Sequence, residues 1–126
     1  MHCERAGKQH CDLPLLALSG RSTRIEWHLQ KVDDARSGFV LNSDAQIAIM
    51  DFEMLLVLAR QGEGVAMVPE FMVKADLTAQ RLTHVLPNWQ SPPIDVMLAY
   101  RVGLAQITRI AAVLELARNA IVSVLN

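Results

Sequence analysis

Aromatic residues are scarce in this chain. Three Phe, two Trp and one Tyr make up 5% of its 126 residues. A hydrophobic core must therefore be built from Leu, Val, Ile, Ala and Met. Hydrophobic residues still amount to 52% and charged residues to 20%, which argues against disorder. Cysteine is scarcer: Cys3 and Cys11 do not make a secreted disulfide framework. Long apolar runs are also lacking. The longest uncharged one, "MLLVLA" (Met54 to Ala59), is far short of the roughly 20 residues a membrane helix needs. The start carries no basic segment followed by an apolar stretch, so no secretory signal is read. A cytoplasmic location with no membrane partner is the expectation. Neither sign of charge dominates: twelve Lys and Arg face thirteen Asp and Glu, for a net charge of −1 and a pI near 6.4. The basic residues are scattered, so this chain alone lacks the basic face of a nucleic-acid binder.

Catalytic signatures are missing too. There is no HExxH, GxSxG, P-loop or GxGxxG. "GEGVAMVP" (62–69) offers two glycines, too few for a dinucleotide fingerprint, and reads as a helix stop followed by a strand. His2-Cys3 and His10-Cys11 carry soft-metal donors, but eight residues separate the pairs, unlike the close spacing within a metal knuckle. Asp33-Asp34 lies in a polar connection and reads as solvated charge. No metal, no cofactor and no enzymatic activity are therefore assigned.

What is present is patterned. Residues 1–12 are polar and irregular, a flexible lead-in. "LPLLAL" (13–18) is a short apolar run ahead of the turn composition "SGRS", so a buried strand is predicted. "RIEWHLQ" (24–30) alternates, with Ile25, Trp27 and Leu29 on one face, as a half-exposed strand does. "FVLN" (39–42) is a third strand. Asn42, Ser43 or Asp44 can cap a helix predicted to run from there, through Ile47, Ala48, Met54, Leu55 and Leu58, to a left-handed stop at Gly62. "VAMV" (65–68) reads as an interior strand closed by Pro69. Residues 70–87 are mixed, with a possible strand at Leu82, His84 and Leu86. "NWQSPP" (88–93) reads as a turn and "IDVMLAY" (94–100) as a strand. A second amphipathic helix spans 107–125, its stripe formed by Ile107, Ile110, Ala111, Leu114, Ala117, Ile121 and Val124. Strand–helix alternation of this kind predicts an α/β fold with mixed or parallel pairing and a ligand at the carboxyl ends of the strands.

The binding chemistry left to such a chain is recognition by backbone and a few side chains. A helix start at Asn42, Ser43 and Asp44 would present free N–H groups. The turn holding Ser19, Arg21 and Ser22 would add two hydroxyls and a guanidinium able to grip a carboxylate at two points. Pro69 would mark a strand tip at the same cleft. An ordinary N-cap and a solvated arginine account for the same residues and, on pattern alone, are the simpler reading.

The order of these segments resembles the effector-binding region of LysR-type transcriptional regulators. Asn42-Ser43 after a strand, Gly62 through Pro69, Val85-Leu86-Pro87 with Trp89, "IDVMLAYR" and the helix at 105–122 are similar to that family's succession of motifs, and "ERAGKQHCDLPLLAL" with "IEW" to its upstream part. The likeness covers nearly all of 4–122. It implies a periplasmic-binding-protein-like α/β fold: one lobe with a mixed sheet and flanking helices, the other of the pair incomplete. Residues 13–72 would be the second lobe. Residues 73–126 would be the hinge return and a remnant of the first lobe with the C-terminal helix. The resemblance further implies a small-molecule effector, often a carboxylate, and a homodimer, with DNA reached only through an N-terminal winged helix-turn-helix that has no counterpart in this sequence. A free-standing dimerisation or interaction module without ligand is the alternative expectation.

Overall fold

A computed structural model describes residues 13–126; the lead-in and both His-Cys pairs lie outside the described residues. The chain divides after Pro92 into two units. In the first, β1 (Leu15–Leu18), β2 (Arg24–Lys31), β3 (Gly38–Asp44) and β4 (Ile47–Ile49) precede α1 (Phe52–Arg60), β5 (Val65–Ala66), α2 (Glu70–Thr78) and β6 (Trp89–Gln90). One three-stranded sheet, β4-β1-β5, is parallel; the other, β3-β2-β6, is antiparallel. The mixed α/β architecture expected from the sequence is what the chain adopts.

β1 is the centre of the parallel sheet, and its apolar run suits a strand covered on both faces. Leu15 and Ala17 are buried in one cluster with Ile25, Leu41 and Ala45, against which Trp27 and Phe39 pack. Leu16, on the opposite face by alternation, is fully buried, as are Leu55 and Leu56 of α1, a helix that contacts β1, β4 and β5. Each such leucine contributes about 1.5–3 kcal/mol of transfer free energy. In the antiparallel ribbon Ile25 pairs with Ser43 and Trp27 with Leu41 on the core face. Arg24 with Asp44 and Glu26 with Asn42 occupy the other.

The long helix predicted from residues 42–44 is shorter and starts later. β3 continues through Asp44, and Ile47–Ile49 forms β4 in parallel register with Leu16–Leu18. Two β-branched residues at alternating positions beside an unfilled edge of β1 favour the strand. The helix begins only after Asp51, whose carboxylate accepts the Glu53 N–H at 2.7 Å. Its predicted end holds. Gly62 has φ +81°, the Gly62 N–H donates to Ala59 C=O at 3.0 Å, and the Glu63 N–H to Leu58 C=O at 3.1 Å. This paired closure of the last turn is the Schellman arrangement.

α2 replaces what the sequence shows as a mixed stretch, and Pro69 is its N-cap residue rather than simply a strand end. β5 covers only Val65–Ala66 of the predicted 65–68. Residues 82–86 form no strand. The segment read as a turn supplies β6 instead, with Trp89 opposite Lys31 and Gln90 opposite Gln30. The Trp89 ring meets Phe39 edge-on at 4.8 Å, and Lys31 Nζ lies 5.9 Å from its centroid, which holds this short strand on β2.

The second unit holds a 3₁₀ turn (Leu104–Gln106) and α3 (Thr108–Leu125). α3 matches the predicted helix, with Ile110, Ala111, Leu114, Ala117 and Ile121 of its stripe half-buried. Residues 94–100 do not form the predicted strand. Alternation supplies a strand's pattern, but a ladder needs a partner, and none pairs with this segment among the described residues.

Candidate functional site

The chain leaves β1 at Leu18 and immediately makes a tight cradle. The Ser19 N–H donates to Ile49 C=O at 3.0 Å, which keeps the exit of β1 beside the exit of β4. The Ser19 hydroxyl oxygen accepts the N–H groups of Arg21 at 3.3 Å and Ser22 at 3.2 Å. The Ser22 hydroxyl oxygen accepts the Arg24 N–H at 3.0 Å. A serine that accepts from backbone in this way still has its own proton to donate. The loop Ser19–Thr23 is thus closed by its own hydroxyls.

Two shallow grooves flank this loop at the carboxyl edge of the parallel sheet. One, about 280 Å³, is lined by Ser19 to Thr23 with Ala48 and Met50. The other, about 610 Å³, is lined by Leu18, Ser19, Gly20, Arg21 and Met50. No acidic side chain lines either groove. Arg21 has no salt-bridge partner among the described residues. The neighbouring carboxylate, Asp51, is engaged in capping α1.

Of the residues singled out from the sequence, six fall into two groups and Pro69 stands apart. Ser19, Arg21 and Ser22 come together in the cradle. Asn42, Ser43 and Asp44 lie in β3, where no helix starts: Ser43 is buried on the core face, while Asn42 and Asp44 sit opposite Glu26 and Arg24. The groups are nonetheless neighbours, since the Ala45 N–H donates to Thr23 C=O at 2.7 Å. Pro69 stands beyond the end of β5, the strand beside β1, and is not among the groove-lining residues. Leu18, Gly20, Thr23, Ala48 and Met50 are the lining residues that sequence reasoning passed over. Thr23 completes a hydroxyl-rich "SGRST". Ala48 and Met50 carry no local signal, because only the β1–β4 register brings them to the loop.

The strongest electrostatic feature lies elsewhere. Asp76, on α2 and 2% exposed, accepts from Arg60 Nη2 and Arg81 Nε, both at 2.7 Å, and those hydrogen bonds hold its carboxyl below the usual range. The cluster ties the last turn of α1 to the end of α2. Among the described residues no group of three or more His, Cys, Asp and Glu side chains is placed to hold a metal, and no helix is long and apolar enough to cross a membrane.

The carboxyl edge of a parallel sheet, where the two grooves lie, is where open α/β sheets place their ligands. The family model for the LysR substrate binding domain matches residues 7–121, and the chain belongs to that family. The resemblance read from the segment order is thereby borne out, together with the periplasmic-binding-protein-like fold it implied. The family serves transcription regulators rather than enzymes. No curated protein matches the chain.

Proposed function

We propose that this chain is the effector-sensing part of a LysR-type transcriptional regulator and that its effector is a small carboxylate held at the Ser19–Thr23 cradle. One observation carries the reading: Arg21 and the hydroxyl residues Ser19, Ser22 and Thr23 line one groove at a strand edge, and no acid lines it. Donors without a matching acceptor favour an anion, and a guanidinium with a carboxylate makes the strongest pairing these groups allow. In this reading Arg21 grips the carboxylate and the Ser19, Ser22 and Thr23 hydroxyls donate to it. Asn42, Ser43 and Asp44 act by holding β3 against β2 beside the cradle, and Pro69 by fixing the start of α2. Residues 13–72 form the effector-side lobe. Effector occupancy shifts the regulator's conformation and so its action on transcription, in a cytoplasmic homodimer.

The test is thermal stability against matched ligand pairs. Propionate and benzoate should raise the melting temperature, whereas propionamide and benzamide should not. At about 100 times its Kd a ligand stabilises by about 2.7 kcal/mol. Arg21→Ala should abolish the effect with little change in the unliganded melting temperature. Equal stabilisation by acids and amides would overturn the carboxylate assignment.

A further inference from the structure

We infer that Met50 is the specificity-determining residue of this cradle, because its side chain lies against Gly20 and lines both grooves at the strand edge. The inference rests on the carboxylate reading above. Ser19, Gly20, Arg21 and Met50 line both grooves, and of these four only Met50 has a large apolar side chain. A Cβ placed on Gly20 would stand 2.6 Å from Met50 Cγ and 3.0 Å from its Sδ. The methionine therefore lies directly against the glycine backbone. The smaller groove also takes in Ser22, Thr23 and Ala48, and the larger one Leu18.

The consequence for ligands is steric. Arg21 reaches both grooves, so it anchors a carboxylate in either. A carboxylate with a short body fits the hydroxyl-lined groove while Met50 stays in place. One with a bulky apolar body must displace the methionine to keep its head on the hydroxyls. Methionine suits this role, being unbranched, and at 74% exposure it has solvent to swing into. Gly20 makes the contact possible. Its backbone is outside the left-handed region, so an added methyl acts on Met50 and not on the loop's conformation.

The experiment is an NMR titration of the Arg21 and Ser22 amides with propionate and with 3-phenylpropionate, in the wild type, Met50→Ala, Gly20→Ala and the double variant. The two probes share a head and differ in body. Met50→Ala should raise the affinity of 3-phenylpropionate relative to propionate by about tenfold, the scale on which an apolar site discriminates by size. Gly20→Ala should move the ratio the same way by a smaller factor. The double variant should match Met50→Ala alone, since the alanine acts only by displacing the methionine. Carboxylate binding with an unchanged ratio in Met50→Ala, or additive shifts in the double variant, overturns this inference and leaves the carboxylate reading standing. Failure of the wild type to bind either probe overturns both.

Discussion

The two units of this chain carry similar apolar patterns and treat them differently. In the first, Leu15, Leu16, Leu55 and Leu56 are almost wholly buried between the antiparallel ribbon, β1 and α1. In the second, α3 buries none of its residues: its stripe is at most half-buried, with Val124 60% exposed, and Ile94 and Met97 of the preceding segment are each 84% exposed. An apolar period states which face wants cover. It does not supply the cover, and only non-local partners do.

The largest effect that would sharpen this contrast comes from emptying the first unit's core. Leu16→Ala removes a fully buried side chain from β1 and should cost about 2–5 kcal/mol in denaturant unfolding. Leu116→Ala on α3 should stay within about 0.5 kcal/mol, as surface changes do. Comparable losses at the two positions would show that α3 is packed as tightly as β1, and the contrast would fail.

A smaller effect isolates the backbone from the packing. Gly62 and Gly103 both sit at positive φ, +81° and +87°, and a Cβ at either would meet nothing within 4 Å. The strain of alanine is therefore conformational at both sites, about 1–2 kcal/mol. In Gly62→Ala it should appear in full, because the Schellman closure couples the end of α1 to β5 and the core. In Gly103→Ala the main unfolding transition should not move, since that turn belongs to a unit without a buried core. An equal shift of the transition by both substitutions would mean that the units unfold as one.

The same distinction explains what could be read from the sequence. β1, β2 and α3 were legible because their signal is local: a short apolar run, a period of two, a stripe at helical spacing. The end of α1 was legible because Gly62 has a conformational task. Its beginning was not, since Asn42, Ser43, Asp44 and Asp51 are all acceptable caps and the choice depends on whether Ile47–Ile49 pairs with β1. α2 was hidden by Asp76: its buried face carries a carboxylate where a stripe would carry a leucine, neutralised by arginines at 60 and 81. The strand expected at 94–100 failed for the opposite reason, a good local pattern without a partner. The cradle shows both sides. Ser19, Arg21 and Ser22 announce themselves as one turn, whereas Ala48 and Met50 arrive through the register of a parallel pair that no local rule fixes.

The last test concerns Asp76 and reads a pH slope, whose change is confined to acid. Hydrogen bonds from Arg60 and Arg81 lower its pKa in the folded chain, so the folded state holds on to the charged form. The stabilisation is present in full above the carboxyl's unfolded value, near 3.9, and is lost as pH falls through the lower folded value. Asp76→Asn keeps the shape and one acceptor but removes the titration. Its stability against pH should therefore run flatter than that of the wild type below about pH 4, with the slopes merging above that. Urea midpoints followed by a probe of the first unit, such as Trp27 and Trp89 fluorescence, would report the difference. Identical acid limbs in the two proteins would show that this carboxylate does not link α1 to α2 energetically.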